Sequence, residues 1–240
     1  MNVDIGLLTL TALSIGFIHT LMGPDHYLPF VAMSAARNWT RRKTLWVTAL
    51  CGVGHVTGSI VIGFIGIVIG ASIHRLQWLE GIRGNVAAWA LVAFGLVYMA
   101  WGLKRAWRDR AHSHDHVHAD GTRHRHSHAH HTHDEHVHIH IDTDNARSIT
   151  PWALFVVFIL GPCEPLIPLV MYPASQHSWW GLGVVVVAFS AITIATMMTV
   201  VTLALKGLER LPLVTAERYS HALAGAALSL CGMGIVFLNL

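Results

Sequence analysis

Charge is what this chain has least of. Only 12% of its 240 residues are Asp, Glu, Lys or Arg, about half the share of an ordinary soluble domain. Residues 5–24, 44–74, 84–103, 165–205 and 219–240 contain none of the four. Each stretch is long enough for the roughly 20 apolar residues that a helix needs to cross a hydrocarbon core. The runs Ile60–Ile73 and Val184–Val201 also lack a polar face at helical spacing, which excludes a soluble helical core. Cysteine is scarce too: Cys51, Cys163 and Cys231 all fall inside apolar segments, so a secreted disulfide framework is excluded. A basic start is missing from Met1–Asp4. No cleavable signal peptide is therefore expected, and the first apolar run is expected to stay.

What is present divides the chain into six predicted membrane spans, near 5–36, 45–73, 85–103, 150–173, 179–205 and 220–239. The 165–205 run is too long for one crossing, and Pro173-Ala174-Ser175-Gln176 is expected to supply the turn inside it. Fourteen of the sixteen Lys and Arg residues fall in the loops after spans 1, 3 and 5, leaving Arg75 and Arg83 for the other side. Basic loops stay cytoplasmic, so both termini are expected outside. The net charge of +3 is then a topological excess and calls for no nucleic-acid partner; the lipid bilayer is the expected partner.

The two halves echo each other. At an offset of 138, Gly23-Pro24-Asp25-His26-Tyr27-Leu28 lies over Gly161-Pro162-Cys163-Glu164-Pro165-Leu166, and at 139 Gly95-Leu96-Val97-Tyr98-Met99 lies over Gly234-Ile235-Val236-Phe237-Leu238. A duplicated three-span unit enters the membrane from opposite sides in its two copies, the plan of many secondary transporters. The expected fold is thus an all-α integral membrane protein of two inverted three-helix repeats, residues 1–108 and 149–240, joined by a disordered cytoplasmic loop over 109–148. In each repeat the first helix is expected to be broken, at Pro24 and Pro29 in one copy and at Pro162, Pro165 and Pro168 in the other.

Asp25 and Glu164 are the only acids expected within the spans, with Asp4, Glu80, Glu209 and Glu217 expected outside them. A carboxylate at the bilayer centre costs about 2.5–3.5 kcal/mol on insertion scales, so it is retained for function. His19, His26 and His55 are the imidazoles deep in predicted spans. In a continuous helix His19 and His26 would share a face with Met22. With Cys163, these side chains form a mixed imidazole, carboxylate and thiol set. It suits Ni(II), Co(II) or Zn(II) and not the all-oxygen shells of Mg or Ca. No lysine or arginine is expected among the spans, as an anion pocket would require.

The loop carries thirteen histidines: His112, His114, His116, His118, His124, His126, His128, His130, His131, His133, His136, His138 and His140, mostly in His-x-His spacing with interleaved acids. Such tracts chelate borderline metals adaptably, and metal capture is the expected role.

The motifs His19-Thr20-Leu21-Met22-Gly23-Pro24-Asp25-His26, Gly54-His55 and Gly161-Pro162-Cys163, with a His-rich third loop, resemble the nickel/cobalt transporter (NicO) family. The resemblance includes its exporter branch and the similar urease- and hydrogenase-accessory permeases, and it extends over nearly the whole chain. It implies transport, not catalysis: Ni2+ or Co2+ carried across a bacterial inner membrane, with the first-span His/Asp/His group holding the ion. Uptake members commonly place four residues between the first His and Asp-His; here five intervene, a change of about 100° in helical phase. Efflux is the expected direction, with uptake or thiol–disulfide and sulfur-compound transport on a related scaffold as alternatives. The pattern leaves oligomeric state and energy coupling open.

Overall fold

Apolar runs become helices, and Gly-Pro pairs interrupt them. In a computed structural model, residues 4–108, 112–117, 123–128, 149–210 and 217–238 are described. Their order is α1 (Ile5–Met22), α2 (Leu28–Ala36), α3 (Arg41–Val68), α4 (Ile73–Arg108), β1 (His112–Val117), β2 (Arg123–His128), α5 (Ile149–Leu160), α6 (Leu166–Ser175), α7 (Trp179–Leu208) and α8 (Ser220–Leu238). Among the described residues, five helices, α1, α3, α4, α7 and α8, are long and apolar enough to cross a membrane. The fourth span, expected to be broken at its prolines, is two shorter apolar helices, α5 and α6.

Local chemistry explains the boundaries. Asp4 caps α1 by accepting the Leu7 N–H at 3.0 Å, and Thr40 caps α3 by accepting that of Lys43 at 3.3 Å. The chain leaves α1 at Gly23, whose extended backbone (φ −88°, ψ 99°) admits the short 3-10 turn Pro24–His26. α2 then restarts with Pro29 in its first turn, where a missing N–H leaves no hydrogen bond unmade. The second interruption covers residues 161–165, between α5 and α6.

Three expectations need correction here. The turn after α6 does not begin at Pro173, which lies inside the helix. The reversal comes at Gln176–Ser178, where His177 takes the left-handed conformation (φ 54°) and the Ser178 N–H reaches back to the Pro173 carbonyl at 2.9 Å. This closure satisfies the Pro173 carbonyl, one of the last-turn carbonyls that a helix end leaves without an internal partner. The third span is not confined to 85–103: α4 begins at Ile73, and it carries Glu80, fully buried, and Arg83, whose side chain is only 11% exposed. Their i,i+3 ion pair at 2.7 Å lets the helix run on through two charges that would otherwise stay in water. Finally, part of the loop expected to be disordered is described as an antiparallel ladder, with His112, His114 and His116 in register with His128, His126 and His124. His-x-His spacing has the period of a strand. The remainder of 109–148, including His118, His130, His131, His133, His136, His138 and His140, lies outside the described residues.

α4 packs on α8, α1 on α7, α5 on α3, and α3 on α7. The α4–α8 crossing is close because it is lined by small residues: a Cβ on Gly95 would meet Ser229, and one on Gly225 would meet the backbone of Met99. Such contacts are how membrane helices associate without a hydrophobic driving force. The distribution of polarity points the same way. Thr20, His26, His55, Ser59, Glu80, Thr193 and Ser229 are buried, while Leu7, Phe64, Val97, Trp180 and Val187 are well exposed. An apolar exterior around a polar interior fits lipid, and in water would be a very large exposed patch.

Candidate metal centre

The two helix interruptions bring chemistry-bearing side chains against α3. At the first, His26 is almost fully buried, and its Nδ1 lies 3.1 Å from the Gly23 carbonyl and 3.1 Å from Asp25 Oδ1. Gly23 is required for this approach, since a Cβ there would stand 2.5 Å from His26 Nδ1 and 2.7 Å from Asp25 Oδ1. At the second, His55 of α3 is equally buried, and its Nδ1 donates to the Phe158 carbonyl at 3.4 Å. Gly161 makes the room there: its Cβ would meet His55 Nδ1 at 3.1 Å. The glycine of each Gly-Pro pair thus makes way for an imidazole.

These contacts decide the tautomers. Carbonyl and carboxylate oxygens only accept hydrogen bonds, so the Nδ1 of His26 and of His55 carries the proton. A neutral ring then presents a lone pair at Nε2. Among the described residues, His26 Nε2 and His55 Nε2 are buried without any partner. A metal-ligating histidine is ordinarily held this way, one nitrogen fixed by an acceptor and the other free for the ion.

The rings form one cluster. His26 meets His19 edge to face with centroids 4.8 Å apart and His55 at 4.9 Å, while His19 and His55 lie nearly parallel at 6.4 Å. Cys163 is fully buried, and its Sγ is 3.9 Å from His19 Nε2. One ligand atom each from His19, His55 and Cys163 lies within 4.8 Å of the others. Donors around a tetrahedral ion at bonds of about 2.1 Å stand roughly 3.4 Å apart. An ion would therefore need to draw the three inward by about an ångström. Nitrogen and sulfur donors of this kind suit borderline transition metals. A narrow cleft between α4, α5 and α8 reaches the cluster, with Asp25 and His55 on its wall beside Gly84, Ala88, Phe158 and Ile235.

The structure thus gathers His19, His26, His55 and Cys163, with Asp25 behind His26. Glu164 is not with them: it is exposed, and its carboxylate lies on the α4 side, about 4.0 Å from where a Gly81 Cβ would be. Met22, expected on the face of His19 and His26, is 67% exposed at the end of α1, and the change of direction at Gly23 means that helical phase does not carry through to His26. The same change of direction brings His19 to His26 in spite of the extra residue between them.

Sequence reasoning missed Glu80, Arg83 and Ser59. Glu80 accepts hydrogen bonds from Ser59 Oγ at 3.1 Å, from the Cys163 backbone N–H at 3.1 Å and from Arg83 at 2.7 Å. Arg83 also donates to the Leu160 carbonyl at 3.2 Å, and to Ser59 Oγ and the Gly161 carbonyl at 2.7 Å each. The i,i+3 spacing of Glu80 and Arg83 was the one available signal. The expectation of no arginine among the spans is corrected by Arg83, although protein acceptors take up its guanidinium.

Comparison with known proteins adds little. No protein-family model matches the chain, and no solved structure matches it. Over 94 residues, 38% of this chain, it is 33% identical to the chloroplast protein FOR GROWTH AND FERTILITY 2 of Arabidopsis thaliana. The chain spans 23% of that protein's length.

Proposed function

We propose that this protein carries divalent transition-metal cations, nickel or cobalt foremost, across a membrane, binding one ion between its two interrupted helices. The observation that carries the reading is the pair of buried, unpartnered Nε2 atoms on His26 and His55, each behind an anchored Nδ1, beside His19 and Cys163. Leaving a buried donor or acceptor unpaired costs about 1–3 kcal/mol, and an ion held by His19, His55 and Cys163 would relieve that cost at His55, with the His26 ring packed beside it.

Two inverted three-helix repeats, α1–α4 and α5–α8, are the architecture we assign to this transport. The packing supports it. Exchanging the halves turns the α1–α7 contact into the α5–α3 contact and returns α4–α8 and α3–α7 to themselves, as a two-fold axis in the membrane plane requires. Rocking of one repeat against the other would expose the ion to alternate sides. Ligands must be deprotonated to bind, so protons moving the other way offer a coupling route.

We further propose that the membrane is a bacterial inner membrane, with the termini outside, the His-rich loop in the cytoplasm and the ion driven outward. Basic loops after α2, α4 and α7 support the orientation, and histidines on the cytoplasmic side would load an exporter. The test is cellular metal content across Ni, Co, Zn, Cd and Mn with and without expression. Lower nickel or cobalt and better tolerance support efflux; higher content means uptake; no change in any metal overturns the reading. A thiol–disulfide carrier is disfavoured: all three cysteines are free, and Cys51 and Cys163 belong to separate core clusters.

A further inference from the structure

We infer that Glu80 and Arg83 are positioning residues that seat the Cys163 thiol as a ligand of the transported ion; this rests on the metal reading above. The chain between α5 and α6 contains Pro162 and Pro165, which supply no N–H, so the groups around them lose their helical partners. In a membrane those groups must be satisfied by other parts of the protein. The ion pair on α4 satisfies them from both sides. The guanidinium of Arg83 takes the carbonyls of Leu160 and Gly161, and the carboxylate of Glu80 takes the N–H of Cys163.

The peptide groups before and after Pro162 are thereby held against one rigid helix, and the direction of the Cys163 Cα–Cβ bond follows from them. Ser59 closes the arrangement, donating to Glu80 and accepting from Arg83. Two glycines give it space: a Cβ on Gly84 would meet Pro162 at 2.6 Å, and one on Gly58 would meet the Ile159 carbonyl at 2.9 Å. The first interruption has a different solution, because the His26 ring itself occupies the Gly23 carbonyl. The ion site is thus built asymmetrically, with imidazoles fixed by local contacts and a thiol fixed by a buried charge pair.

The test uses the purified full chain in detergent and Co2+ as probe, because a thiolate bound to Co(II) gives a near-ultraviolet charge-transfer band and imidazole ligation gives visible ligand-field bands. Wild type is expected to show both, and Cys163→Ser to lose only the first. Glu80→Gln and Glu80→Ala are expected to lose at least half of the thiolate band and to bind Co2+ about 10–100-fold more weakly, while keeping the visible bands. Wild-type thiolate intensity in both Glu80 variants overturns the inference and leaves the metal reading intact. Wild-type binding with no band lost in Cys163→Ser also overturns it. No Co2+ binding by wild type removes the metal reading itself. If the Glu80 variants do not assemble, Arg83→Lys decides, since it keeps the charge but cannot span both carbonyls: a reduced band supports the inference and an unchanged one overturns it.

Discussion

His26 and His55 meet edge to face with ring centroids 4.9 Å apart, and each is tethered through Nδ1 to a carbonyl of a different interrupted helix. Both histidines belong to the α1–α4 half, whereas the Phe158 carbonyl that holds His55 belongs to α5. Under the proposed rocking of the halves, the His55 tether is the contact that would change.

His26→Ala and His55→Ala should each lower Ni2+ affinity by more than about 100-fold, beyond the 10–100-fold typical of losing a supporting partner. Asp25→Asn, which keeps the size of the side chain but removes the charge behind His26, should cost about 10–100-fold. Equilibrium binding by the purified protein, with helix content followed by circular dichroism, checks all three. An Asp25→Asn protein that binds Ni2+ as wild type does would mean that Asp25 does not support the site.

Gly23→Ala should disrupt the site without unfolding the bundle. Its methyl group would fall 2.5 Å from His26 Nδ1, an overlap costing about 1–3 kcal/mol and relieved by moving the ring. Gly183→Ala is the control, for nothing lies within 4 Å of a Cβ there; it should be neutral or stabilise the helix by up to about 1 kcal/mol. Nickel affinity lost in both variants, or in neither, would contradict this account.

Glu164→Gln should leave Ni2+ affinity within about threefold of wild type, because this side chain is exposed and apart from the imidazoles, whereas removing a supporting group costs 10–100-fold. Cys163→Ser should weaken binding clearly more. Isothermal titration of the two variants side by side decides the order, and a larger loss in Glu164→Gln would reinstate it as a ligand.

Gly225→Val should lower thermal stability, since even a Cβ at this position would meet the backbone of Met99 and the Gly95 carbonyl at 2.6 Å. Pushing α4 and α8 apart costs about 1–3 kcal/mol or more. A thermal-shift measurement in detergent should show a fall of several degrees; an unchanged midpoint would argue against the close α4–α8 crossing.

Much of the frame was legible in the residues. Absence of charge marked the apolar helices, and Gly23-Pro24 and Gly161-Pro162 marked where two of them break, because insertion cost and proline geometry are local properties. His19, His26, His55 and Cys163 stood out as polar groups in apolar runs. Glu80 did not, since an acid near a span end looks the same whether it is solvated or paired. Its partners Ser59 and Cys163 lie 21 and 83 residues away in the chain.

The sequence by itself determined which segments prefer lipid to water, where the helices are interrupted and which metal-binding side chains are present near the interruptions. Tertiary structure alone decided that three imidazoles and a thiol converge while Glu164 faces away, and that Glu80 and Arg83 lock the second interruption. Transfer free energy and backbone sterics act within a few residues, whereas the meeting of ligand atoms depends on how helices cross, and that is settled by close packing at glycines such as Gly95 and Gly225.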